Sequence, residues 1–221
     1  EVIEMTLKSR PIAQHSLMAG LLTAGTTFMA APLAYAHHPM DGATPTTFMQ
    51  GLLSGIAHPV IGLDHFAFLL VAALLSITLK GYARYLVPLA FVGATVAGTL
   101  YHLGAAELPM TETAVALSAL LGGVAVLLKR SAPALLVAAL FGMIGVFHGY
   151  AYGEAIVGAE QAALLSYLLG FALIQYAIIA GGVKALSLIA ERSEHLQSLA
   201  TRSVGLFAAA TGALFLGMSL S

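Results

Sequence analysis

The sequence predicts an all-α polytopic membrane protein, and three observations carry that prediction. Of its 221 residues, 59% are hydrophobic and only 9% are charged, against about 25% charged in a soluble domain. Apolar runs long enough to cross a bilayer follow one another from Thr47 onward, separated by short polar breaks. The basic residues fall in every second break, the signature of a chain that crosses back and forth. A formal net charge of −1 leaves no basic face for nucleic acid, and the absence of cysteine removes disulfides and thiolate chemistry.

Residues 1–36 read as a targeting segment. Met5 is taken as the initiator, with residues 1–4 upstream of it; Lys8 and Arg10 then precede a mildly apolar stretch from Leu17 to Ala31. Pro32 and the small-x-small run Ala34-Tyr35-Ala36 fit a cleavage site. Cleavage after Ala36 would open the mature chain on His37-His38. Residues 37–221 are expected to form one six-span transmembrane domain.

The first element of that domain is the least regular. Phe48 to Leu79 is apolar for 32 residues, about 48 Å as one helix against a core of about 30 Å. The expected solution is a half-helix from Thr47 to Ala57, broken at Pro59–Gly62, before the first span. The six spans are expected near 60–79, 85–104, 112–128, 133–152, 161–183 and 203–220. Lys80 and Arg84 follow the first span, Lys129 and Arg130 the third, and Lys184, Arg192 and Arg202 the fifth. The other breaks carry acids: Asp41, Glu107, Glu112, Glu154 and Glu160. Positive-inside reasoning puts the mature N-terminus, the acidic loops and the C-terminus outside, in a bacterial cytoplasmic (inner) membrane.

On that topology the histidines converge. His58, Asp64 and His65 fall at the outer end of span one, His102 at that of span two, and His148 at that of span four with Glu154 just beyond. His37 and His38 hang from the outer terminus. An ionisable residue inside a span costs about 2.5–3.5 kcal/mol on insertion scales, so it faces a partner or a pathway. Imidazoles with a carboxylate suit a divalent transition metal. His58 and His65 lie seven residues apart, about 10 Å along a straight helix, so only a bend brings both to one ion. The expected metal set is His58, Asp64, His65, His148 and Glu154, with His37 and His38. His102, beside Tyr101, reads as an interfacial residue. The small-residue stripes Gly145, Gly149, Gly153 and Gly51, Gly55 read first as helix-packing surfaces, and Gln175 and Tyr176 as interhelical hydrogen-bonding groups.

His58-Pro59-Val60-Ile61-Gly62-Leu63-Asp64-His65 resembles the H-P-x-x-G-x-D-H motif of the HupE/UreJ family, and Phe147-His148-Gly149-Tyr150-Ala151-Tyr152-Gly153-Glu154 resembles its F-H-G-x-A-H-G-x-E motif. The resemblance covers nearly the whole mature chain and implies a nickel or cobalt permease associated with hydrogenase or urease maturation. Two departures stand out: Tyr152 replaces a second histidine, and Glu154 comes one position early.

The reading that follows is an uptake permease and not an enzyme. It would move a divalent cation inward, nickel or cobalt first, with copper and zinc open. No prosthetic group is expected. Its partners are membrane lipid and the metal ion, with no nucleic acid; a homo-oligomer is open. Two rivals are an intramembrane zinc-dependent hydrolase and a non-transporting assembly subunit.

Overall fold

The computed structural model describes residues 43–104 and 107–220. The predicted targeting segment and its cleavage site, His37, His38 and Asp41 lie outside the described residues. Among the described residues the structure is all helical, with no strand. The helices are α1 (Phe48–Ile61), α2 (Leu63–Ile77), the single turn α3 (Ala83–Leu86), α4 (Pro88–Leu103), α5 (Thr111–Leu127), α6 (Ala134–Gly153), α7 (Gln161–Arg192) and α8 (Glu194–Ser219). A 3-10 turn, Glu154–Ile156, follows α6.

The start of α1 is set by a capping box. The Thr47 side chain accepts from the Gln50 backbone N–H, and the Gln50 side chain accepts from Thr47 N. The half-helix is longer than the sequence suggested. It runs through Pro59 to Ile61 and breaks at Gly62, where the chain turns by 77° into α2. Pro59 sits in the last turn, so its missing N–H weakens a helix that is already ending.

α2 is the hub. Ala67, Phe68, Leu69, Val71, Ala72, Ala73 and Leu74 are all 4% exposed or less, as a helix apolar on every side must be. It packs against α5, α7 and α8, and Phe68 reaches Phe91 of α4 and Phe141 of α6. Around it α4 pairs with α6, α5 with α8, and α1 with α7. The glycine stripes make these pairings close. A Cβ on Gly149 would run into the Thr95 carbonyl, and one on Gly55 into that of Tyr167. Both stripes are packing surfaces, as read from the sequence.

Four helical segments are long and apolar enough to cross a membrane: Ala83–Leu103, Ala134–Ile156, Gln161–Arg192 and Glu194–Ser219. The bent pair α1 and α2 makes a fifth, and Thr111–Leu127 is a shorter apolar helix. α7 and α8 overrun the expected boundaries at 183 and 203 because the charged segment between them continues both helices instead of breaking them. Their apolar outer faces, with Leu165, Leu173 and Leu206 exposed, are what lipid contact requires.

Candidate metal site at the broken helix

The break at Gly62 carries its neighbours into the interior. His58 and His65 are each 2% exposed, Asp64 and His148 are fully buried, and so are Tyr152 and Tyr167. The His58 and His65 rings lie 6.0 Å apart between centroids, nearer than a straight helix permits. His65 and His148 are joined directly, Nδ1 to Nδ1, at 2.8 Å. The Tyr152 ring closes the group, 5.0 Å from His58 and 4.5 Å from His65. Phe68 and Phe91 pack on the far side of His148.

The hydrogen bonds assign the tautomers. Ser118 on α5 donates its one proton to the Val115 carbonyl (2.7 Å), so it must accept from His148 Nε2–H at 2.9 Å. His148 Nδ1 is then a lone pair, and His65 Nδ1–H donates to it. On the other side Tyr167 O–H donates to the Tyr152 carbonyl (2.8 Å), so His58 Nδ1–H donates to the Tyr167 oxygen at 3.0 Å. Both His58 and His65 therefore present Nδ1 to a protein partner, Tyr167 for the one and His148 for the other. That is how ligating histidines are held by their surroundings.

Asp64 stands in the first turn of α2, where its Oδ1 accepts from the His65 backbone N–H at 2.8 Å and its charge suits the helix N-terminus. Its Oδ2 is buried with no hydrogen-bond partner among the described residues, as is the Tyr152 hydroxyl. No three His, Asp or Glu side chains among the described residues are arranged around a single point as a finished ion site. His65 and His148 are instead turned toward each other.

Of the residues expected from the sequence, His58, Asp64, His65 and His148 are brought together. Glu154 is not: it is exposed at the start of the 3-10 turn, because α6 ends at Gly153 and the turn buries Ala155 and Ile156 while its first residue faces out. His102 packs on Tyr150, at 4.3 Å, and against Gly153, away from the cluster. Gln175 donates to Thr95 Oγ1 at 3.3 Å, linking α7 to α4, and the Tyr176 hydroxyl donates to the Tyr85 carbonyl at 3.3 Å. The sequence reading missed Ser118 and Tyr167. The signal available was faint: a lone serine in the apolar run from Ala114 to Val126, and a tyrosine well inside α7.

The HupE / UreJ protein family matches residues 25–215. Protein HupE of Rhizobium leguminosarum bv. viciae is 33% identical over 122 residues, which is 55% of this chain. The match spans 63% of the length of that relative. No solved structure matches.

Proposed function

The chain belongs to the HupE/UreJ family, and from that premise we propose that it is an uptake permease for a divalent transition-metal ion, nickel or cobalt first, in a bacterial cytoplasmic membrane. One observation carries the reading: the break at Gly62 sets His58 and His65 side by side, each held through Nδ1 by a protein partner. Nitrogen donors with a nearby carboxylate oxygen favour nickel, cobalt, copper and zinc over magnesium or calcium.

In this reading α2 and α4 to α8 supply six crossings, and α1 is a half-helix that enters beside α7. The ends near the histidines carry Glu107, Glu112, Glu154 and Glu160, which attract cations. All seven lysines and arginines beyond residue 36 belong to the opposite ends: Lys80, Arg84, Lys129, Arg130, Lys184, Arg192 and Arg202. The positive-inside rule makes that opposite side cytoplasmic, with the site facing out and the C-terminus outside. An ion bound by His58, His65 and Asp64 would take the other ring nitrogen of His65, leaving His148 to hold that ring through Nδ1. His37 and His38 would hand the ion in. A doubly charged cation gains about 4.6 kcal/mol per 100 mV on moving inward, about three orders of magnitude in concentration ratio.

Whole-cell accumulation of nickel, cobalt, copper and zinc, read by mass spectrometry in a host lacking its own uptake systems, tests this directly. One metal should rise with the wild-type chain and fall back with His65→Ala at equal membrane abundance. If no metal moves while both proteins reach the membrane, transport gives way to the rivals, and the purified protein should be assayed for hydrolysis.

A further inference from the structure

The helix pairing leaves a gap. With α4 against α6 and α5 against α8, an apolar cleft of about 490 Å3 lies between α5 and α6, floored by Phe68 of α2. α5 lines it with the small residues Ala114, Ser118 and Ala125, and α6 with Phe141 and Ile144. From Ala114 to Ala125 the wall is about 16 Å high at helical rise, close to one leaflet of a core of about 30 Å.

At one end this cleft changes character. Arg130 and Ser131 line its mouth, and Leu75, Thr78 and Arg130 also belong to a second cavity of about 450 Å3. That cavity adds Lys129, Arg202, Ser198 and Thr201, with Glu194 as its one carboxylate. Three cations and several hydroxyls thus meet the end of an apolar groove. The backbone at the junction is unusual. α5 ends with Arg130 N–H donating to the Ala125 carbonyl and Lys129 N–H to that of Val126, both at 3.0 Å, the Schellman pattern that favours glycine at its left-handed position. Lys129 occupies that position, with φ of 51°. A lysine stands where glycine would fit better, next to Arg130 at the end of the groove.

We propose that the joined groove is a binding site for one anionic phospholipid. Its acyl chain lies in the α5/α6 cleft, and its phosphate is held among Lys129, Arg130 and Arg202. Arginine matches phosphate oxygens in bidentate fashion, and a headgroup of net negative charge complements three cations set against one acid. The cleft shares Ser118 and Phe68 with the wall of the histidine cluster, but its test reads lipid binding and does not depend on metal transport.

The test uses the full chain, purified in detergent and stripped of lipid, with binding of phosphatidylglycerol, phosphatidylcholine and inorganic phosphate followed by native mass spectrometry and thermal unfolding. Phosphatidylglycerol should be retained at one per chain and bind at least about fivefold more tightly than phosphatidylcholine. Arg130→Gln and Lys129→Gly should each weaken phosphatidylglycerol about fivefold and leave phosphatidylcholine unchanged, about 1 kcal/mol per cation. Ala125→Phe, which fills the cleft, should abolish retention. Should that variant fail to fold, the two substitutions at the exposed Lys129 and Arg130 decide alone. Equal binding of the two lipids, an unaffected Arg130→Gln, or full competition by inorganic phosphate would overturn the proposal. So would a dimer that Ala125→Phe converts to monomer, since a second copy would then fill the groove.

Discussion

The two ends of the bundle hold their polar groups in opposite ways. At the end near Gly62, His58, His65, Asp64 and His148 are 2% exposed or less and are fixed by specific atoms: Ser118 Oγ, the Tyr167 hydroxyl and a neighbouring backbone N–H. At the other end Lys80, Lys129, Arg130 and Arg192 are exposed. A buried imidazole without a partner costs free energy, so its place is decided by whatever the fold brings near it. An exposed lysine needs only water. The first arrangement breaks when one atom is removed; the second tolerates single losses.

Substitutions can sharpen that contrast, beginning with the backbone contacts beneath the histidine end. Gly149→Leu should eliminate folded protein, seen as loss of the monodisperse peak in fluorescence-detected gel filtration. Its side chain would meet the Thr95 carbonyl, which cannot move aside as a flexible side chain would, at a cost of about 3 kcal/mol or more. Gly142→Leu, on the same helix with no neighbour within 4 Å of its Cβ, should fold normally. If both are tolerated, close packing of α6 on α4 is not what holds the site.

Next in size is the removal of a histidine at either end. His148→Ala should cut metal accumulation by about an order of magnitude, as loss of a tuning partner typically does. His195→Ala, on the exposed start of α8, should leave it unchanged. Equal effects would erase the distinction between the two ends. Lowering external pH should reduce uptake, because a protonated imidazole cannot ligate a metal ion, read as metal accumulation across a pH series. Uptake that rises with acidity would count against rate-limiting ligation by neutral histidines.

Smaller still is the effect of the hydroxyls that orient the rings. Tyr167→Phe should weaken uptake several-fold, toward the lower end of the 10- to 100-fold range seen for such partners, and should raise the apparent Km for metal. Lys80→Gln sits at the bottom of the scale, with uptake and abundance within about a factor of two, since one of several cations at the same end rarely sets topology.

Much of this molecule is visible in one dimension. Pro59–Gly62 marks a break inside an apolar run too long to cross, and the alternation of cations with acids marks the two ends of the spans. His58, Asp64, His65 and His148 stand out because ionisable groups are expensive in apolar spans. Other features are not visible. Glu154 sits beside His148 in the same motif, yet α6 ends between them and the carboxylate faces out. Ser118 is one serine among many until α5 sets it 2.9 Å from an imidazole. The groove between α5 and α6 exists only because each helix has a different close partner.

The sequence by itself determined composition class, the apolar runs, the break and the segregation of cations from acids, because these follow from the solvent preference and backbone freedom of single residues. Tertiary structure alone decided what the Nδ1 atoms of His58, His65 and His148 meet, which carboxylate is buried and where a lipid-sized gap remains. Those depend on distances of about 3 Å between residues far apart in the chain, and hydrogen bonds and packing are short-ranged forces that no local pattern encodes.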